Sequence, residues 1–120
     1  MSETCQVRRW DLLKRELNNY APQEFRKAMQ DQPGATLIDC RTINEFNHGH
    51  LDGAYHMDYL AYDFLEKMEA LDPGATYLVY CRTGRRSVRT CMLMKNGGFK
   101  NVFNLDGGLI ALREKDVMVL

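Results

Sequence analysis

Apolar residues along the chain recur at two different periods, and the alternation between the two lays out the expected fold. Residues 7 to 17 place Trp10, Leu13 and Leu17 at helical spacing among Arg8, Arg9, Lys14 and Arg15, which predicts an amphipathic helix whose packing partner the pattern does not reveal. Tyr20-Ala21 is a short extended piece. Pro22 suits a first helical position, Phe25, Ala28 and Met29 share one face, and Gln32-Pro33-Gly34 ends that helix. Ala35 to Cys40 is a continuous apolar run of strand length, as expected for a strand covered on both faces.

After a short helical turn carrying Ile43 and Phe46, Gly49 to Tyr55 reads as a turn leading into a second short strand. Asp58 is positioned as the N-cap of a helix with Leu60, Phe64, Met68 and Leu71 in its apolar stripe, ending at Asp72-Pro73-Gly74. Thr76 to Tyr80 is the next strand, Ser87 to Lys95 the next helix with Gly97 and Gly98 as its stop, and Lys100 to Leu105 a last strand. Gly107-Gly108 then opens a terminal helix through Leu109, Ile110 and Leu112. Strands alternating with helices imply an α/β fold, a three-layer α/β/α sandwich on a mainly parallel five-stranded sheet. The expected organisation is an N-terminal helical extension over residues 1–18, a domain over 19–115 and a C-terminal tail over 116–120.

Composition narrows this picture only in part. A chain of 120 residues accommodates one hydrophobic core. Its sixteen basic and sixteen acidic side chains cancel, so global charge gives no case for nucleic acid or membrane as a partner. The distribution is more informative: Asp58, Asp63, Glu66, Glu69 and Asp72 precede a stretch, residues 73 to 105, with six cations and no acid. The absence of a long apolar run predicts a cytoplasmic protein, where Cys5, Cys40, Cys81 and Cys91 are expected to be free thiols. Their scattered spacing argues against a zinc cage or a disulfide scaffold.

The candidate chemistry lies in Tyr80 to Ser87. Open parallel sheets bind ligands beyond the carboxyl ends of their strands, and Cys81 stands at such an end. Arg82, Thr83, Gly84, Arg85, Arg86 and Ser87 form a loop running into a helix, with Gly84 supplying a position suited to φ > 0. Free N–H groups in such a loop and at a helix start make an anion-binding concavity. With Arg82, Arg85, Arg86 and Arg89 nearby, Cys81 is expected to be a thiolate near neutrality, since comparable sites bring a cysteine pKa from ~8.5 into the ~3.5–7.5 range. The plainer alternative is a small buried hydrophobe beside a solvated arginine face.

From about Tyr20 to Leu112 the chain resembles the single-domain rhodanese (sulfurtransferase) family. The matching stretches are Leu37-Ile-Asp-Cys-Arg41, Glu45-Phe46 with Gly49-His50-Leu51-Asp-Gly-Ala54, Tyr80 to Ser87, Gly98-Phe99-Lys-Asn-Val102, and Leu105-Asp-Gly-Gly108. The resemblance implies that Cys81 takes a sulfane sulfur from a small anionic donor such as thiosulfate, becomes a persulfide, and passes the sulfur to a thiol or protein acceptor. The expectation beside it is no cofactor and no metal, a soluble monomer or weak dimer, and no nucleic-acid or membrane partner. Arg82 and Arg85 are the candidates for steering the donor, and Arg86 for closing the loop.

Asp39, Arg41, Glu45 and His50 are expected to give structural support, with Asp39 and Arg41 organising the loop after the second strand through an ion pair with Glu45. His48, His50 and His56 invite a metal reading, but no further ligand completes a set, and structural hydrogen bonding is the expectation. Related phosphatases and arsenate reductases place five residues between cysteine and arginine; here Cys81 and Arg86 enclose four, which favours sulfur over a tetrahedral oxyanion. A non-catalytic interaction domain is the third reading. By the family topology Cys40 ends the strand beside that of Cys81, at the ~4.8 Å spacing of neighbouring strands, within disulfide reach. Packing is the ordinary role for such a cysteine; resolving an oxidised or persulfidated Cys81 is the chemical one. Leu112 stands where the family commonly has an aromatic residue, so the last helix is expected to pack differently.

Overall fold

The structure, a computed structural model, describes residues 9–119, with the side chains of residue 10 and of residues 115–119 outside the description. The expectations placed on Cys5, on the first two residues of the leading helix and on the apolar side chains of the tail therefore lie outside the described residues. Eleven elements follow in chain order: α1 (Arg9–Arg15), β1 (Asn18–Tyr20), α2 (Pro22–Asp31), β2 (Thr36–Asp39), α3 (Ile43–Asn47), β3 (Tyr55–His56), α4 (Phe64–Glu69), β4 (Thr76–Tyr80), α5 (Arg85–Asn96), β5 (Asn101–Leu105) and α6 (Gly108–Val119). Residues 116–119, expected as a separate tail, continue α6.

All five strands pair in parallel, in the order β1-β5-β4-β2-β3. The buried strands β2 and β4 are apolar on both faces because helices cover both, as parallel sheets require. Alternation sorts their side chains into two cores. Ile38, Cys40, Tyr77, Val79 and Cys81 face Phe64 and Met68 of α4 and Cys91 and Met94 of α5. Leu37, Leu78, Tyr80 and Leu105 face Phe25 and Ala28 of α2 and Leu109 and Leu112 of α6. The result is the three-layer α/β/α sandwich that the alternation of periods predicts.

The partner of α1 is α5: the two helices pack together, Leu17 reaches the first core, and the Lys95 ammonium donates to the Glu16 carbonyl at 2.7 Å. Lys14 forms an ion pair with Asp106 beyond β5. Leu112 is 1% exposed against Phe25 and Leu109, so an aliphatic side chain fills this part of the core. The expected helix after Asp58 starts later. Asp58 instead accepts the Leu60 N–H at 2.8 Å in a local turn, the helix proper begins at Phe64, and Leu60 is 68% exposed. The apolar spacing continued through a stretch whose aspartate side chain competes for the backbone, and competition of this kind favours turns over helix.

The start of α6 is set by a close approach. Its N–H groups at Leu109 and Ile110 donate to the carbonyls of Cys81 (2.8 Å) and Arg82 (3.1 Å). A Cβ on Gly108 would lie 2.4 Å from the Arg82 carbonyl oxygen, and its φ is +70°. Gly98 also has positive φ, +94°, but open space around it. Gly98→Ala is expected to cost only the backbone term, about 1–2 kcal/mol. Gly108→Ala adds the clash and is expected to lose clearly more stability in urea unfolding; equal losses for the two variants would remove the steric argument.

Candidate active site

Cys81 follows β4, the central strand, with β2 on one side and β5 on the other. The loop Cys81–Gly84 turns under the start of α6 and hands the chain to α5, which begins two residues before the expected Ser87. Gly84 makes that turn at φ +107°, a region glycine enters without a Cβ penalty. The loop folds back on its own sulfur: Cys81 Sγ accepts the N–H of Gly84 at 3.1 Å and of Ser87 at 3.3 Å, and lies 3.4 Å from the Ser87 hydroxyl. The Ser87 hydroxyl also donates to the Gly84 carbonyl at 3.1 Å, holding the loop closed.

Cys81 is 0% exposed, and an isolated thiol so deeply buried would stay protonated. Here the neighbouring Cys40 thiol does most to lower the Cys81 pKa, which falls to about 5 against the opposing cost of burial. The Ser87 hydroxyl and the N–H groups of Ser87 and Gly84 lower it further. The expected support was the helix start and the arginines. The two backbone donors bear out the first; the neighbouring thiol, which spacing along the chain does not advertise, stands ahead of both. Cys40 shifts the other way: burial first, and then the Cys81 sulfur, push its thiol well up.

The arginines divide by role. Arg86 donates to both oxygens of Glu45, at 2.6 and 3.1 Å, and so fastens α5 to α3. This contact holds the Glu45 carboxyl down to about 2, helped by the Thr42 N–H and hydroxyl at the start of α3. The expected Glu45 ion pair with the Asp39–Arg41 element is therefore replaced: Glu45 pairs with Arg86, because Arg41 is already committed. Arg41 meets Asp39 through Nε (3.0 Å) and Nη2 (2.8 Å), donates to the Gly49 carbonyl at 2.6 Å, and lies 5.8 Å from the Tyr80 ring centre. Asp39 is 0% exposed and also accepts the Tyr80 hydroxyl at 2.7 Å, while that hydroxyl accepts the Leu51 N–H. Tyr80 was legible only as a strand residue, yet it ties the Asp39–Arg41 pair to the turn before β3.

Arg82, Thr83 and Arg85 are exposed at the rim, and Arg89 is exposed one turn further along α5. A cleft beside the loop is lined by Arg41, Glu45, His48, Arg82 and Arg113, so positive charge frames it. The histidines each meet a backbone carbonyl: His48 that of Asn44 (2.7 Å), His50 that of Phe46 (2.9 Å) and His56 that of Arg41 (2.8 Å). His50 also stacks on Phe46, with ring centres 3.7 Å apart. Among the described residues no group of three His, Cys, Asp or Glu side chains is arranged to hold a metal ion. Among them, too, no helix is long and apolar enough to cross a membrane.

Residues 21–115 match the family model described as Rhodanese-like domain. The chain is 32% identical over 87 residues to a thiosulfate sulfurtransferase, GlpE, of Pseudomonas fluorescens, covering 72% of this chain and 77% of that one. It is 33% identical over 93 residues to a tRNA uridine(34) hydroxylase of Bacillus velezensis, covering 74% of this chain. Some relatives are much longer: the chain spans 29% of that hydroxylase and 58% of a rhodanese-like domain-containing protein 17 of Arabidopsis thaliana, to which it is 33% identical over 65% of its own length. Among solved structures, the polysulfide-sulfur transferase homodimer of Wolinella succinogenes superposes with a TM-score of 0.74 at 24% identity, over 96% of this chain and 86% of that one.

A native-state pKa of about 5 for Cys81 sets a pH dependence of stability. The unfolded chain keeps its cysteine proton up to ~8.5, so the native thiolate stabilises fully above that pH, and the contribution is lost as pH falls through about 5. The difference in unfolding free energy between wild type and Cys81→Ser is expected to widen across this window, by at most about 1.4 kcal/mol per pH unit. A flat difference, or an ultraviolet thiolate signal that titrates near the ordinary cysteine value, would contradict it.

Proposed function

Because the chain belongs to the rhodanese-like domain family, whose relatives include both sulfurtransferases and tRNA uridine hydroxylases, we propose that it is a sulfurtransferase that carries a sulfane sulfur on Cys81. The observation that carries this reading is the cradle itself: two backbone N–H groups, of Gly84 and Ser87, aimed at a low-pKa cysteine sulfur inside a loop of four residues. The thiolate attacks the outer sulfur of a donor such as thiosulfate, the sulfur–sulfur bond of the donor breaks, and sulfite departs with the electron pair. The new persulfide carries negative charge on its outer sulfur, where loop amides stabilise it as they would an oxyanion. A thiol, cyanide or a partner protein's cysteine then takes that sulfur and restores the thiolate.

Arg82 and Arg85 at the rim serve to steer the anionic donor, and the cationic cleft lined by Arg82 and Arg113 supports that role. Arg86 is a positioning residue, held by Glu45; Asp39, Arg41 and His50 brace the neighbouring turn. A phosphatase or arsenate reductase of the same fold would need a wider loop and an arginine free to clasp the oxyanion, and here the loop is short and Arg86 is engaged. The catalytic unit is the domain that opens with β1 at Asn18, with α1 packed on it as an addition, in a cytoplasmic monomer or weak dimer.

Incubation with thiosulfate is expected to add one sulfur by intact mass, removable by cyanide, and Cys81→Ser is expected to abolish the addition. An aryl phosphate run alongside is expected to stay intact; phosphate release without sulfur uptake would reverse the assignment, and neither activity would leave a binding module. Converting both Arg82 and Arg85 to alanine is expected to cut kcat/KM for thiosulfate by about tenfold or more, chiefly through KM and with a weaker salt dependence.

A further inference from the structure

Cys40 carries no sulfur in the cycle above, where it only lowers the Cys81 pKa, yet its position gives it a further part. In the β2–β4 pairing Asp39 lies opposite Tyr80, so Cys40 and Cys81 occupy the next rung, and the Cys40 N–H donates to the Tyr80 carbonyl at 3.1 Å. Both side chains leave the sheet on the same face, since both belong to the core beneath α5 together with Ile38 and Val79. Neighbouring parallel strands stand ~4.8 Å apart, inside the ~4.4–6.8 Å window between Cα atoms that a disulfide requires. Both thiols are free, and both are 0% exposed. The Cys40 thiol has two acceptors within reach of its single proton, the Tyr80 carbonyl at 3.3 Å and the Cys81 sulfur.

Resting on the sulfur-carrier reading, we propose that Cys40 discharges the Cys81 persulfide from within, releasing its outer sulfur as hydrosulfide and closing a Cys40–Cys81 disulfide. The Cys40 sulfur attacks Cys81 Sγ, a new sulfur–sulfur bond forms between the two cysteines, and the bond from Sγ to the outer sulfur breaks. The outer sulfur leaves with that electron pair and with the proton of the Cys40 thiol. Two thiols are oxidised to a disulfide and one sulfane sulfur is reduced to sulfide, so the electrons balance without another reagent. A second pair of external thiols reopens the disulfide for the next turn. The protein thereby gains a second activity: donor-dependent hydrosulfide release.

The approach is suited to displacement, which requires the nucleophile opposite the leaving atom. The amides of Gly84 and Ser87 meet Sγ from the loop and α5, and Cys40 meets it from β2. An outer sulfur seated against those amides departs away from Cys40. The discharge is slow by construction, because the thiolate is the attacking form and burial keeps Cys40 protonated. An external acceptor that reaches the persulfide first takes the sulfur intact; one that does not leaves it to be lost as sulfide.

The test uses the reduced full chain, freed of small thiols and loaded in parallel with thiosulfate and with inorganic polysulfide. Sulfite, hydrosulfide and intact mass are followed together. The wild type is expected to release sulfite from thiosulfate, to show one added sulfur transiently, and then to yield hydrosulfide as its mass falls two hydrogens below that of the reduced chain, with Cys40 and Cys81 in one linked peptide. Cys40→Val and Cys40→Ser, each checked for native circular dichroism, are expected to release sulfite more slowly near neutrality, because the Cys81 sulfur loses its strongest donor, with the rate recovering as pH rises, but once loaded to hold the added sulfur at least about tenfold longer. Cys91→Ser, which alters the third buried thiol of this core, is expected to discharge like the wild type. Sulfite release with a lasting adduct in the wild type, or a linked peptide containing Cys91 instead of Cys40, overturns this inference alone. No adduct from either donor overturns the sulfur-carrier reading and this inference with it.

Discussion

The pairing of β2 with β4 is the constraint on which the rest of the structure depends. Four consecutive rungs, from Thr36 opposite Tyr77 to Asp39 opposite Tyr80, bring two distant segments to the same level at their carboxyl ends. A slip of one residue would exchange the two faces of either strand. Tyr80 would then point its hydroxyl away from Asp39, and Cys81 would leave the core that contains Cys40 and Cys91. The register is held by burial on both faces, where Ile38, Val79 and Tyr80 are each 0% exposed. The geometry around Cys81 and the packing of the core are in this sense one specification, and neither can vary alone.

Beside that core sits a charged one. Asp39 and Arg41 are nearly closed to solvent, and removing two charges from water is costly unless further hydrogen bonds complete the pair. They are completed here by the Arg41 N–H, the Tyr80 hydroxyl and the Gly49 carbonyl. Such a network contributes less to net stability than to uniqueness: it allows one arrangement of the turns after β2 and before β3. Those turns lead to Glu45, and Glu45 holds Arg86. The loop around the sulfur therefore inherits its position from a chain of polar contacts that begins at the floor of the sheet.

The strands and most helices were legible because each rests on local signals: apolar runs of strand length, proline at the start of α2, paired glycines after α5. The stretch from Asp58 to Tyr62 was not, since helical spacing at Leu60 and Phe64 says nothing about a side chain that captures its own backbone. The cradle was legible in outline from the glycine and the helix start. Of its two strongest additions, Cys40 was placed beside Cys81 only through the family topology and Glu45 was given another partner, for a common reason. Cys40 lies 41 residues before Cys81, and Glu45 lies 41 residues before Arg86. Both depend on the strand register, which periodicity predicts only as a sheet and not rung by rung. The Asp39–Arg41 contact spans two residues, which were anticipated as one element but with Glu45 as the ion-pair partner; Tyr80 joins them from across the same ladder.

The depth of Cys81 also governs which molecules can use it. At 0% exposure its sulfur offers no surface to a broad reactant, and a flat protein face pressed against the rim would meet Arg82, Thr83 and Arg85 instead. Rotamer changes of exposed side chains take picoseconds to nanoseconds, far faster than bond making at sulfur, so a slender reactant loses little time at the entrance. Discrimination thus falls to shape before chemistry begins. A reactant that is to touch the Cys81 sulfur itself must be narrow, or be carried on a thin projection such as a chain terminus or an extended loop.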